Sequence, residues 1–201
     1  VPFVAVRSTS ELTAALDQLG CPAVLKTAGW GYDGKGQVRI ENADEGRKAF
    51  ANFSGVDLIL EGLVPFEKEI SIVAARRQDG YFSAYPPSEN VHVRNILDLS
   101  LHPARISNST ASAAYNIAFK VGEGLGIVGT FCVEIFVLSD GSLMMNEIAP
   151  RPHNSGHATI DACLCSQFER FLFARCAGIH TVSSHLRDMI LKQRIPTDRV
   201  H

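Results

Sequence analysis

The chain has 201 residues, 46% of them hydrophobic and 20% charged, with a formal net charge of −2. That length suits one large domain or two small lobes with a sizeable core. The near-neutral balance argues against nucleic acid or a membrane surface as partner, and no apolar run approaches the ~20 residues of a transmembrane helix. The start, Val1-Pro2-Phe3, lacks both an initiator Met and the regions of a signal peptide, as an excised piece would. The five cysteines, Cys21, Cys132, Cys163, Cys165 and Cys176, fit no zinc spacing. They read as reduced, mostly buried thiols of a cytoplasmic protein.

Ser8 stands three residues before Glu11, a capping-box spacing, and Leu12, Ala15, Leu16 and Leu19 follow at helical intervals up to Gly20. Residues 23–27 read as a strand and 37–40 as its return, joined by a glycine-rich loop. Asn42 caps a second helix reaching about residue 53, and 57–61 is the next strand. Residues 67–76 and 81–86 predict a hairpin around Gln78-Asp79-Gly80. Residues 87–107 read as irregular, with Pro87, Asn90, Asn95 and Pro103. A helix follows over 109–125, then a strand over 129–138, a two-residue Asp140-Gly141 turn and a returning strand over 143–149. A polar loop over 151–157 leads into a helix of about 160–176. Strands and helices do not alternate as βαβ units, so the class is α+β.

The second hairpin carries the most informative pattern. A two-residue turn at Asp140-Gly141 sets Glu134 directly opposite Glu147, both inside apolar strands. Like charges so placed destabilise a half-buried sheet. A divalent cation, a shared proton or a neighbouring Arg would relieve them. Mg²⁺ commonly takes one or two carboxylates together with substrate phosphates. The bland alternative is two acids on a solvated face. Asn146 offers a further oxygen, but strict alternation sends it to the other face, so a bend is needed for it to join Glu147.

The loop after the first strand holds Gly29, Gly31, Gly34 and Gly36, with Lys35 as a cation. Glycine lets backbone N–H groups approach phosphate closely. The spacing is neither a P-loop nor a dinucleotide fingerprint, and alone it fits an ordinary mobile loop better. Lys26, inside the apolar strand Ala23-Val24-Leu25-Lys26-Thr27, must snorkel to solvent or meet an anion.

Several stretches add a resemblance: Gly31-Tyr32-Asp33-Gly34-Lys35-Gly36-Gln37, Glu61-Gly62-Leu63-Val64-Pro65-Phe66-Glu67-Lys68-Glu69 and Tyr85-Pro86-Pro87-Ser88-Glu89-Asn90-Val91-His92. The longest is Asn146-Glu147-Ile148-Ala149-Pro150-Arg151-Pro152-His153-Asn154-Ser155-Gly156-His157, extended by Thr159-Ile160-Asp161-Ala162-Cys163 and Ser166-Gln167-Phe168-Glu169. In this order, over roughly 1–178, they resemble the ATP-grasp superfamily and, within it, the carboxyaminoimidazole ribonucleotide synthetase branch.

The resemblance implies an ATP-grasp fold of two α+β lobes with the nucleotide between them. The small lobe is expected over 1–60 and the large lobe over 61–178, with 179–201 a tail of no family counterpart. The family's N-terminal and C-terminal domains are expected to be absent. The implied reaction is ATP-dependent carboxylation of 5-aminoimidazole ribonucleotide with bicarbonate, through carboxyphosphate, in purine biosynthesis. Mg²⁺ is the implied metal, with Mn²⁺ as an alternative, and a homodimer the implied assembly. Lys26 then resembles the lysine on an ATP phosphate, and Gly31, Tyr32, Asp33, Gly34, Lys35, Gly36 and Gln37 the lid. Glu61, Gly62, Leu63 and Val64 resemble the hinge that reads adenine. Glu69 resembles a ribose ligand and His92 a further nucleotide contact. Glu134 and Glu147, with Asn146, resemble the metal ligands. Arg151, His153, Asn154, Ser155 and His157, with Tyr32 and Asp33, resemble the acceptor site, in which Asp33, Lys35 and Arg151 are the catalytic candidates. Competing readings are another ATP-grasp ligase, a fragment that binds ATP without turnover, and an α+β interaction domain with no metal.

Overall fold

The structure, a computed structural model, describes residues 1–29, 36–53, 55–93 and 96–170. The lid positions Gly31, Tyr32, Asp33, Gly34 and Lys35 lie outside the described residues, as do Cys176 and the tail 179–201. The described chain forms two compact units: Val1–Phe66 with His92–Asp98, and Glu67–Val91 with the residues from Leu99 onward.

The first unit is a four-stranded antiparallel sheet in the order β1 (Phe3–Val6), β4 (Leu58–Gly62), β2 (Ala23–Thr27), β3 (Gln37–Ile40). Helices α1 (Thr9–Leu19) and α2 (Ala43–Asn52) pack against it around Val6, Leu12, Leu16, Leu25, Ile40 and Leu60. Both helices start as their sequences dictate. The Ser8 hydroxyl accepts from Glu11 N–H, and the Glu11 carboxylate reaches back to Arg7 N–H. Asn42 and Glu45 repeat the device at α2. Each satisfies amides that a helix start leaves open.

The remaining strands form a six-stranded sheet in the order β10 (Leu143–Ala149), β9 (Gly129–Leu138), β5 (Phe66–Arg76), β7 (Ser88–Val93), β8 (Ile96–Leu101), with β6 (Phe82–Ala84) on the end of β5. One face is apolar: Ile70, Ile72 and Ala74 of β5 and Phe131, Val133 and Ile135 of β9 pack on Ala114 and Ala118 of α3 (Asn108–Gly124). The helix comes close enough that a Cβ on Gly122 would stand 2.7 Å from Phe131 Cζ.

Three expectations are corrected. Residues 87–107 are not irregular, since β7 and β8 form a hairpin. Its first residues, Ser88, Glu89 and Asn90, are buried polar groups bonded to neighbours, which apolar periodicity does not detect. The single helix over 160–176 is also interrupted. Helix α4 (Thr159–Ala162) stops at Cys163, which is extended. A new helical turn opens after Ser166, where Ser166 and Glu169 form a reciprocal cap. Finally, the β9–β10 connection is a three-residue loop, with Leu138 bonded to Ser142 and Gly141 at φ 80°. Strand β1 is four residues long, too short for its periodicity to register.

Candidate functional site

Alternation along β5 and β9 sends the polar residues to the face opposite α3. On β5 these are Glu69 and Ser71, and on β9 they are Thr130, Cys132 and Glu134. The β5–β7 register sets Ser88 opposite Ser71 and Asn90 opposite Glu69, extending the polar face. All seven side chains are buried, so their polar atoms need partners. Ser71 Oγ donates to Ser155 Oγ at 2.7 Å and accepts from Asn90 Nδ2 at 3.0 Å. Ser100 Oγ in turn donates to Asn90 Oδ1 at 2.9 Å.

Glu134 and Glu147 are paired across β9 and β10. The route differs from a plain two-residue turn. From Leu143 to Met145 the register is offset by one, and a bulge at Asn146 restores it. In such a bulge two residues oppose one on the partner strand and a side chain is re-aimed. Asn146 and Glu147 together therefore oppose Glu134, the bend that these two candidate ligands required. Among the described residues no group of three or more His, Cys, Asp or Glu is arranged to hold a metal. Two carboxylates and an amide oxygen nevertheless fit Mg²⁺, which completes its shell with water and phosphate.

His153 and a proton relieve the clustered acids. His153 Nε2 lies 3.2 Å from Glu134 Oε1, with both side chains mostly buried. Burial disfavours the charged imidazole, but hydrogen bonds to Cys132 and Glu134 outweigh it and hold its pKa up. Its Nδ1 meets Ser155 Oγ at 2.9 Å. Glu69 is pushed up to about 8, first by burial and then by the charges of Glu134 and Glu147, against the pull of His153. The second unit thus keeps Glu69 protonated near neutral pH, beside Glu134 and Glu147.

The loop of acceptor candidates, 151–157, follows β10. His153 and Ser155 face the sheet, and Asn154–Gly156 forms a single 3₁₀ turn. Arg151 is exposed, with Nη1 on Pro152 O at 3.1 Å. Asn154 and His157 are also exposed, and His157 stacks on Phe168.

In the first unit Lys26 has found its anion. Its Nζ lies 2.8 Å from Glu61 Oε2, both side chains mostly buried. The register explains this: Val24 pairs with Glu61, so Lys26 is its diagonal neighbour on the same face. Among the hinge candidates, Gly62 N–H donates to Pro2 O at 3.1 Å and Leu63 N–H to Pro22 O at 3.4 Å, while Val64 O accepts from Phe66 N–H. Of the lid candidates, Gln37 pairs with Lys26, and Gly36 sits at φ 82° with its carbonyl on Thr27 N–H. His92 is exposed and groups with this unit.

Sequence reasoning gave no role to Ser71, Cys132 or Gln167, all central to the polar face. Ser71 had a signal, its position two residues after Glu69 on one strand. Gln167 had the neighbouring Ser166-x-x-Glu169 cap.

The ATP-grasp domain family matches residues 1–168. The N5-carboxyaminoimidazole ribonucleotide synthase of Bacillus subtilis is 43% identical over 175 residues, 87% of this chain and 46% of that protein. A crystal structure of carboxyaminoimidazole ribonucleotide synthase from Aspergillus clavatus with ATP superposes with TM-score 0.82 at 34% identity, covering 86% of this chain and 46% of that one. A second structure from that organism, with ADP and 5-aminoimidazole ribonucleotide, superposes with TM-score 0.78 at 32% identity and the same coverage. The chain thus spans about half the length of the relatives it matches.

Proposed function

Because the chain belongs to the ATP-grasp family, we propose that it is the ATP-grasp portion of an N5-carboxyaminoimidazole ribonucleotide synthase. That enzyme uses ATP to carboxylate 5-aminoimidazole ribonucleotide with bicarbonate. The observation that carries this reading is the bulge that sets Asn146 and Glu147 against Glu134 on a polar face, directly before the 151–157 loop.

Mg²⁺, or Mn²⁺ in its place, would be held by Glu134, Glu147 and Asn146 and would supply neutralisation of phosphate charge. Lys26 exchanges its Glu61 partner for an ATP phosphate, adding charge neutralisation from the first unit. Glu61 and the backbone of Gly62, Leu63 and Val64 read adenine. Glu69, protonated, donates to a nucleotide oxygen such as a ribose hydroxyl, and His92 adds a further contact. Bicarbonate attacks the γ-phosphate, giving carboxyphosphate and ADP. Catalysis is then chiefly positioning. The lid, Gly31 to Gln37, excludes water from the labile intermediate. Arg151, His153, Asn154, Ser155 and His157, with Tyr32, hold the acceptor ribonucleotide. Asp33 takes the proton of its amine or orients it, and Lys35 and Arg151 balance the charge that develops. The whole enzyme works on small molecules in the cytoplasm, as a homodimer.

The test is ADP release from Mg-ATP and bicarbonate, with and without aminoimidazole ribonucleotide, for this chain and for Glu147→Gln. Stimulation by the ribonucleotide that the substitution abolishes supports the reading. Nucleotide binding that needs Glu147 but no stimulation supports the alternative, an ATP-binding part without turnover by itself, which the half-length coverage favours. A folded chain that binds no nucleotide refutes both.

A further inference from the structure

The stretch 166–169 has no part in the proposed chemistry, yet it grips the loop that does. Gln167 is completely buried. Its side-chain amide spans the backbone of His153: Oε1 accepts from His153 N–H at 2.9 Å, and Nε2 donates to the His153 carbonyl at 2.7 Å. Gln167 is itself anchored at both backbone groups. Its N–H donates to Thr159 Oγ1 at 3.0 Å, and its carbonyl accepts from Thr130 Oγ1 at 3.0 Å. Thr130 belongs to β9, the strand of Cys132 and Glu134. The next residue, Phe168, stacks on His157, with ring centroids 5.9 Å apart. Both ends of the 153–157 segment are therefore held from one helical turn.

Gly156 gives a second, independent sign of the clamp. A Cβ there would stand 2.5 Å from Gln167 Oε1 and 2.7 Å from its Cδ. Its backbone lies outside the left-handed region, so glycine is not required for its torsion angles. What excludes a larger residue is the amide, which cannot swing away without leaving both groups of His153 unpaired.

We propose that Gln167 is a positioning residue: its amide sets where the His153 imidazole stands against Glu134, and Gly156 is the space that amide needs. The kinetic consequence rests on the function proposed above; the structural one does not.

Three substitutions test it. Gln167→Glu keeps the acceptor for His153 N–H and removes the donor to its carbonyl. Gln167→Ala removes both groups. Gly156→Ala adds one methyl. The first readout is the ¹H–¹⁵N signals of the His153 imidazole, which need no turnover. They are expected to lose their wild-type positions in all three variants. The second is steady-state kinetics, where kcat/KM for the ribonucleotide is expected to fall about 10–100-fold, as for groups that orient a ligand from behind, with KM for ATP unchanged. The third is coupling: Gly156→Ala should add little in a Gln167→Ala background, where the atom it would strike is gone. Unmoved His153 signals in Gly156→Ala and Gln167→Glu, or fully additive effects in the double variant, would overturn the clamp. If Gln167→Ala does not fold, Gly156→Ala decides. If the wild-type chain shows no ribonucleotide-stimulated ADP release, the functional reading fails while the imidazole signals still judge Gln167.

Discussion

Glu134 of β9 and Glu147 of β10 stand directly opposite each other, and the bulge at Asn146 turns two residues of one strand toward one of the other. On the proposed reading this pair of like charges is held for ligand binding, at a cost to the free protein. Glu147→Gln is therefore expected to stabilise the metal-free chain by about 0.5–1 kcal/mol, the scale of a cross-strand charge pair. The same substitution should sharply weaken Mg²⁺-dependent ADP binding. Urea denaturation and calorimetric titration check the two halves, and a loss of stability would count against the repulsion argument.

Glu69 gives a pH dependence of unusual sign for a carboxylate. Its pKa is pushed up to about 8 in the folded chain, so the folded state holds a proton that the unfolded state has released. Stability from this group is present at low pH and is lost as pH rises through the window from about 4.5 to 8. Glu69→Gln should flatten that part of the profile and make the variant the more stable protein at pH 8. Denaturant titrations at pH 5, 6.5 and 8 would show it, and parallel profiles would refute it.

Glu89 behaves in the opposite sense. Hydrogen bonds from Arg105 lower its pKa to about 2 despite burial, helped by Lys68 at 3.4 Å. Its contribution is complete above about pH 4.5 and disappears as pH falls through 2. Arg105→Ala should lower stability at neutral pH, by less than the loss of a fully buried pair because Arg105 is exposed. The variant should also unfold at a higher pH in an acid titration.

Lys26→Met separates the partners of that lysine. It leaves the Glu61 carboxylate buried without its cation, which should cost about 1–3 kcal/mol. On the proposed reading it also weakens ADP binding about 10-fold or more, as expected from losing a charged hydrogen bond to phosphate. Glu61→Gln should cost stability in the same range. Nucleotide affinity unaffected by Lys26→Met would remove Lys26 from the phosphate site.

Elements whose residues speak locally were legible in the sequence. The β9 strand, the caps at Ser8 and Asn42 and the Glu134–Glu147 pairing all follow from periodicity and turn chemistry. The pairing emerged although the turn is not the one expected: the three-residue loop shifts the register and the bulge shifts it back. The β7–β8 hairpin was not legible, because Ser88, Glu89 and Asn90 are buried through hydrogen bonds to distant residues. Likewise His153 could be named from its surroundings, but its contact with Glu134 depends on Ser71 and Gln167, which are 82 residues before and 14 after it in the chain.

Strand β9 divides its labour residue by residue. Phe131, Val133, Ile135 and Val137 point into the packing against α3, while Thr130, Cys132 and Glu134 point to the polar face. A saturation scan of Gly129–Leu138 would accordingly produce two interleaved phenotypes. At one set of positions variants would vanish from the soluble pool. At the alternate set the loss would fall first on the polar face and, on the proposed reading, on activity. On the proposed reading, inheritance along this strand is split at single-residue spacing between the demand to fold and the demand to react, and one inserted residue would exchange the two.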